Sequence, residues 1–178
     1  MKKSIFAALA AALVLGLTAC GASEEELVSK TPFPEFSELD TRGNTVTSEV
    51  FADYDATIIN FWNNGCGTCI EEMPELEEYY QDFKDQNINL MGVASDSGES
   101  EEQMETAREI LEEKGVTYPN LSPDPENSLY QDFISQLTGY PTTYVVDSKG
   151  NIIGAPIIGN LKEQEGTLNH RLEQAKGE

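Results

Sequence analysis

The sequence predicts an α/β fold, a mixed β-sheet covered by helices, and three observations lead there. Short apolar runs suited to strands alternate with stretches whose apolar residues recur at helical spacing. The run Thr57-Ile58-Ile59-Asn60-Phe61-Trp62 leads almost directly into Cys66-Gly67-Thr68-Cys69, which opens a helical pattern. About 145 residues follow the proline-punctuated segment that ends near residue 34, enough for one ordinary core. No internal repeat or low-complexity tract interrupts them.

The N-terminus reads as an export signal. Lys2 and Lys3 form a positive start, and Ile5 to Leu17 is an apolar run of 13 residues, too short to span a bilayer comfortably. Leu17-Thr18-Ala19-Cys20 then looks like a bacterial lipobox, in which Cys20 becomes the lipidated first residue of the mature chain. The alternative is an ordinary signal peptide cleaved nearby, with Cys20 incidental. The expected organisation is a signal peptide over 1–19, a lipidated cysteine and flexible tether over 20–33, and one domain over 34–178.

Cysteine arithmetic fits this division. The chain has three cysteines, so lipidation of Cys20 leaves only Cys66 and Cys69. Two cysteines so close together do not staple a scaffold, and their role is more naturally chemical.

The chain carries 11 basic against 32 acidic side chains, a formal net charge of −21, and loss of Lys2 and Lys3 with a signal takes this to −23. Such a field repels nucleic acid and anionic headgroups, so neither is an expected partner. Most of the acidity reads as solvated surface, in Glu24-Glu25-Glu26, Glu101-Glu102 and Glu112-Glu113. A basic redox partner is compatible with it.

The elements follow in order. Phe36 to Leu39 and Thr45 to Thr47 flank Asp40-Thr41-Arg42-Gly43-Asn44, a turn sequence that predicts an N-terminal β-hairpin. After the strand at 57–62, Cys69, Met73, Leu76, Tyr80 and Phe83 mark the inward stripe of a helix, with Glu71, Glu75, Glu77, Glu78 and Lys84 outward. Ile88 to Ala94 is the next strand. Ser100-Glu101-Glu102-Gln103 fits a capping box, and Met104, Ala107, Ile110 and Leu111 carry a helix to Gly115. Asp124-Pro125 is a further start signal, with Leu129, Phe133 and Leu137 carrying a central helix to Gly139. Thr143 to Asp147, the turn Ser148-Lys149-Gly150-Asn151 and Ile152 to Ile158 read as a closing hairpin. A last helix turns Leu161, Leu168 and Leu172 inward, and His170 on it reads as a surface residue.

Cys-x-x-Cys at a strand-to-helix junction is the pattern of a dithiol/disulfide redox centre. A helix N-terminus carries about half a positive charge and unpaired N–H groups, which favour a thiolate over a thiol. Cys66, at that terminus, is therefore the expected nucleophile.

Ile59-Asn60-Phe61-Trp62, Cys66-Gly67-Thr68-Cys69, Pro74 and Gly139-Tyr140-Pro141-Thr142-Thr143 together resemble the thioredoxin fold. The lipoprotein signal, Glu71-Glu72-Met73-Pro74 and the helix before Tyr140-Pro141 narrow the resemblance to the TlpA/ResA-like extracytoplasmic thiol-disulfide oxidoreductases, over roughly residues 34 to 175. It implies a thioredoxin-like fold with an N-terminal β-hairpin and a central helical insertion. Cys66 would attack as thiolate and form a mixed disulfide, which Cys69, about one helical turn along, would resolve. The resemblance gives Glu72 the role of moving protons to and from the cysteines. Ordinary thioredoxins place a buried acid where this chain has Asn60. Pro74 would kink the active-site helix, and Pro141 would be cis, leaving the backbone of Tyr140 to pair with an extended substrate peptide. Two departures stand out. Thr68 replaces a common proline, and Gly65 replaces an aromatic residue, which implies a wider or more mobile entrance. Trp62 either packs beside the site or is simply core, and the core reading is preferred.

The expected activity is thus a membrane-tethered thiol-disulfide oxidoreductase, working as a reductase on the extracytoplasmic face of a bacterial membrane. It needs no cofactor beyond the Cys66–Cys69 disulfide. By resemblance its partners are oxidised exported proteins, apocytochrome c or an extracytoplasmic methionine sulfoxide reductase among them, and a transmembrane thiol electron donor. Two other readings stay open. A peroxiredoxin-like thiol peroxidase shares the insertion and the Asp147-Ser148-Lys149-Gly150 hairpin, but neither cysteine has the proline and threonine ahead of it that such enzymes use. A non-catalytic binding lipoprotein is the other, although a structural zinc site wants four ligands and only His170 and carboxylates accompany the two cysteines.

Overall fold

The computed structural model describes residues 30–177. The expected export signal and Cys20 lie outside these residues. The strands are β1 (Lys30–Pro32), β2 (Ser37–Asp40), β3 (Thr45–Thr47), β4 (Ala56–Trp62), β5 (Ile88–Ala94), β6 (Asn120–Ser122), β7 (Thr142–Asp147), β8 (Asn151–Ile153) and β9 (Ile157–Ile158). The helices are α1 (Gly67–Phe83), α2 (Glu101–Glu113) and α3 (Glu165–Lys176). Among the described residues one mixed sheet runs β1-β8-β7-β4-β5-β6-β2-β3, with β9 added to β7. The architecture is thioredoxin-like α/β, as expected.

β4 and β5 are the centre because every position of both is buried. Continuous apolar strands of this kind are stable only with both faces covered. On one face Ile58, Trp62 and Leu90 pack with Met73 and Leu76 of α1, Ala107 of α2 and Leu168 of α3. On the other, Ile59, Phe61 and Met91 meet Phe33, Phe36, Phe51 and Leu129. The second core is aromatic: Phe33 lies 5.6 Å from Phe51 and 5.0 Å from Phe133, and Phe133 lies 5.2 Å from Tyr144, centroid to centroid.

The N-terminal hairpin forms as predicted, with Leu39 opposite Thr45. The Asp40 carboxylate closes its turn by accepting the N–H groups of Arg42 and Asn44, and Gly43 supplies the φ of +86°. Three features differ from expectation. Lys30–Pro32 is a strand paired with β8, so the tether placed over 20–33 overlaps the ordered sheet. Asn120–Ser122 is a strand too short to show a period, fixed by parallel pairing to β5 and antiparallel pairing to β2. The closing hairpin is interrupted between Ile153 and Ile157, and Gly154 adopts φ +71° in the gap.

The central helix expected from Asp124 to Gly139 is the largest correction. The chain instead makes a π-helical turn over Leu129–Phe133 and a 3-10 turn over Ile134–Gln136, and Leu137 is extended. Leu129 and Ile134, five apart, are both buried, while Phe133 packs on the aromatic cluster. An α-helix aligns residues four apart, so the wider turn is what lets all three reach one core. Glu38 anchors the segment by accepting the Asp124 N–H and the Asn127 side-chain amide.

Candidate active site

β4, a central strand, delivers the chain to the end of the sheet, and four residues separate it from α1. Cys66 is the N-cap of α1, with extended backbone, and its Sγ accepts the N–H of Cys69 at 3.3 Å. A cysteine here faces the positive end of seventeen residues of helix. Cys66 and Cys69 form a disulfide, S–S 2.05 Å. Their exposures differ: Cys66 is half-buried and Cys69 is 1% exposed.

The loop before Cys66 is held from two sides. Asn64 donates its backbone N–H to both carboxylate oxygens of Asp96, at 3.1 and 3.0 Å. Its side-chain amide donates to the carbonyl and to Oε1 of Gln103 on α2, at 2.9 and 2.7 Å. Gly65 is exposed, but Asn64 restrains the chain beside it, so the expected mobility has a specific counterweight. Gln103 is also the residue expected to complete the capping box. Ser100 Oγ does accept the Gln103 N–H at 3.2 Å, but the Gln103 side chain is engaged with Asn64. Burial raises the pKa of Asp96, the Asn64 N–H opposes this, and nearby Glu99 adds to the rise.

Glu72 is one turn beyond Cys69 on α1 and 2% exposed, so it is not one more solvated glutamate. Oε1 accepts the Asn60 side-chain amide at 3.1 Å, and Oε2 accepts the backbone N–H of Leu161 at 3.0 Å. Desolvation holds its pKa above the usual carboxylate range. The Leu161 and Asn60 donors pull the other way, and Glu75 pushes up again. The result is a buried carboxyl able to take up and release a proton in a milder pH range than a surface glutamate. Pro74 lies inside α1, which continues through it to Phe83.

The Tyr140–Pro141 peptide bond is cis. Strand register puts Pro141 at the cysteine end of the sheet: Thr142 is opposite Phe61, so Pro141 faces the last residue of β4. The Pro141 carbonyl accepts the Gly159 N–H at 2.9 Å. Among the described residues the Tyr140 backbone makes no hydrogen bond to another backbone group. Trp62 is core, as expected, and its indole N–H donates to Asn120 Oδ1 at 2.9 Å.

Cys66, Cys69 and Glu72 are thus brought together by one helix, and Tyr140-Pro141, just before β7, lies at the same end of the sheet. His170 is exposed on α3. Among the described residues no group of three or more His, Cys, Asp or Glu is arranged to hold a metal ion. Asn64 and Asp96 had no sequence signal of their own, while Gln103, Thr143 and Leu161 were legible only as a helix cap, a motif threonine and an inward leucine. Asn60 was legible only as the missing acid, and its place beside Glu72 follows from the packing of β4 on α1.

The AhpC/TSA family profile matches residues 30–155. The thioredoxin-like protein YneN of Bacillus subtilis (strain 168) is 28% identical over 132 residues, covering 74% of this chain and 72% of that protein. The thiol-disulfide oxidoreductase ResA of the same organism is 26% identical over 142 residues, 80% of this chain and 74% of that one. A crystal structure of a thioredoxin-family thiol:disulfide interchange protein from Chlorobium tepidum TLS superposes with a TM-score of 0.63 at 24% identity, covering 80% and 97% of the two chains, and speaks for the fold alone. With the Cys66–Cys69 disulfide at the head of α1, these matches show that the chain belongs to the AhpC/TSA family and is a thioredoxin-fold thiol-disulfide oxidoreductase.

Proposed function

We propose that this oxidoreductase works as a disulfide reductase on the extracytoplasmic face of a bacterial membrane, held there by lipid on Cys20. The observation that carries the reading is the asymmetry of the pair: Cys66 half-exposed at a helix N-terminus, joined to a buried Cys69 with Glu72 one turn beyond.

In the reduced protein the Cys66 thiolate attacks one sulfur of a client disulfide. The Cys66–client bond forms, the client S–S bond breaks, and the second client sulfur leaves as a thiolate that takes up a proton. Cys69 then gives its proton to the Glu72 carboxylate and attacks Cys66 Sγ. The intramolecular disulfide forms, the Cys66–client bond breaks, and the first client sulfur departs as a thiolate that takes up a proton, while Glu72 returns its proton to solvent. The client has gained two electrons from the dithiol and two protons. An extended client segment docks along the Tyr140 backbone beside Pro141, where unpaired main-chain groups add affinity independent of client sequence. By family resemblance, client disulfides include haem-site cysteines of apocytochrome c and an exported methionine sulfoxide reductase. A transmembrane thiol carrier restores the dithiol.

The reduction potential tests direction: about −270 mV marks a reductant, and about −120 mV an oxidant and the end of this reading. Cys66→Ser should abolish insulin reduction. Cys69→Ala should trap clients on Cys66 as mixed disulfides in cells, and palmitate labelling that survives Cys20→Ala would remove the anchor.

A further inference from the structure

Glu72 is held by donors that lie outside its own helix. Asn60 on β4 and Thr143 on β7 are register partners in adjacent antiparallel strands, and both are buried, at 2% and 0% exposure. The Asn60 amide nitrogen makes two bonds. It donates to Glu72 Oε1 at 3.1 Å and to Thr143 Oγ1 at 3.0 Å.

The second bond decides what the first can do. A carboxamide presents NH2 on one side and a carbonyl oxygen on the other, and only the NH2 attracts a carboxylate. The Glu72 carboxylate, which can only accept, selects the orientation with NH2 toward it, and the Thr143 hydroxyl oxygen, by accepting the second N–H, ties that amide nitrogen to β7. Water has no access to replace a lost donor, because all three side chains are buried.

We infer that Asn60 and Thr143 are a positioning pair that fixes the pH range in which Glu72 accepts the Cys69 proton during exchange. The inference rests on Glu72 being the proton handler. Other charged or titratable groups around Glu72 are few. Glu75 is one turn further along α1 and disfavours its charge, and Lys162, ahead of α3, lies 3.5 Å from Glu75. Tyr118, on the segment before β6, is buried and held protonated by desolvation first and by the charge of Glu72 second. Leu161 contributes only its N–H. Cys66, at the head of α1, is charged as a thiolate but carries no charge in the mixed disulfide from which Cys69 gives up its proton, and β4 and β7 present the neutral pair. Asn60 and Thr143 are thus the side-chain device that favours the charged form of Glu72.

The test is the pH profile of exchange between the reduced protein and oxidised glutathione. Thr143→Val keeps the β-branch, removes the hydroxyl and unties the Asn60 amide nitrogen from β7, so that it is held less firmly against Glu72. One net hydrogen bond is worth about 0.5–1.5 kcal/mol, so the profile's midpoint should move toward alkaline pH by roughly half to one unit. Thr143→Ser should restore it. In a Glu72→Gln background Thr143→Val should add nothing to the profile. If Thr143→Val does not fold, Thr143→Ala, which adds no bulk, takes its place in each comparison. An unmoved midpoint in the hydroxyl-less variant, alongside an altered one in Glu72→Gln, overturns the pair while leaving Glu72 its role. A shift that persists without Glu72 also overturns it. If Glu72→Gln itself leaves the profile unchanged, the reading of Glu72 falls and the pair with it.

Discussion

The backbone N–H of Leu161 donates to Oε2 of Glu72 at 3.0 Å, across 89 positions of sequence. This bond fastens the loop between β9 and α3 over the middle of α1. Leu161 itself is buried in the same core as Cys69 and Met73, so the carboxylate is sealed rather than merely crowded. Desolvation nevertheless wins over the donors, and Glu72 titrates above a free glutamate.

That sign has a consequence for stability. A carboxyl whose folded pKa is raised binds its proton more tightly in the folded state. Its contribution is full below the ordinary glutamate pKa and is lost as pH rises through the raised value. Urea midpoints of the wild type should therefore fall, relative to Glu72→Gln, as pH climbs from the ordinary carboxylate range toward neutrality. Parallel curves for the two proteins would contradict the burial of a titrating Glu72.

Glu77 should show the opposite sign. Burial alone would raise its pKa, but donors outweigh it: Thr117 Oγ1 at 2.6 Å, Thr117 N–H at 2.7 Å and the Gln81 amide. Its pKa is lowered, so its contribution is present above the ordinary glutamate pKa and lost as pH falls through the lowered value. Because the site is near solvent, Glu77→Gln should cost roughly 1 kcal/mol or less at neutral pH. That cost should vanish in acid, as measured by chemical denaturation.

Gly92 is required by its neighbour on β6. A Cβ at this position would lie 1.9 Å from Asn120 Oδ1, the atom that accepts the Trp62 indole N–H. Gly92→Ala forces Asn120 away and leaves a buried donor unsatisfied. The expected loss is about 2–4 kcal/mol from overpacking and the broken bond together. Trp62 is the sole tryptophan, so its emission reports the change directly. An unshifted spectrum and midpoint would show that the strands part without cost.

Asn64→Ala removes the amide that reaches Gln103. The Asp96 contact to the Asn64 backbone remains, so the helix cap should survive while the loop loosens. Amide hydrogen exchange at Gly65 and Cys66 should accelerate, and exchange activity should fall through poorer placement of Cys66. Unchanged protection at these two residues would assign the restraint to Asp96 alone.

Much of this site was legible in the chain. Cys66 and Cys69 declared themselves by spacing, and the apolar run before them placed the pair at a strand-to-helix junction. β5 was read at its observed bounds, Ile88 to Ala94, a run that is apolar but for Asn89. The segment after Asp124 misled because start signals and apolar spacing are shared by α- and π-turns. Only the position of the aromatic core selects between them. Thr143 was visible merely as one of two threonines after Pro141.

The sequence by itself determined the chemistry: which atoms exchange electrons, which cysteine heads the helix, and which carboxyl stands one turn away. Such information is local, carried by residues within a few positions of one another. Tertiary structure alone decided that Glu72 is buried, that Asn60 and Leu161 hold its two oxygens, and that Asn64 is pinned by α2. Those partners lie 12 to 89 residues apart and meet only through sheet register and helix packing, so no local pattern could announce them.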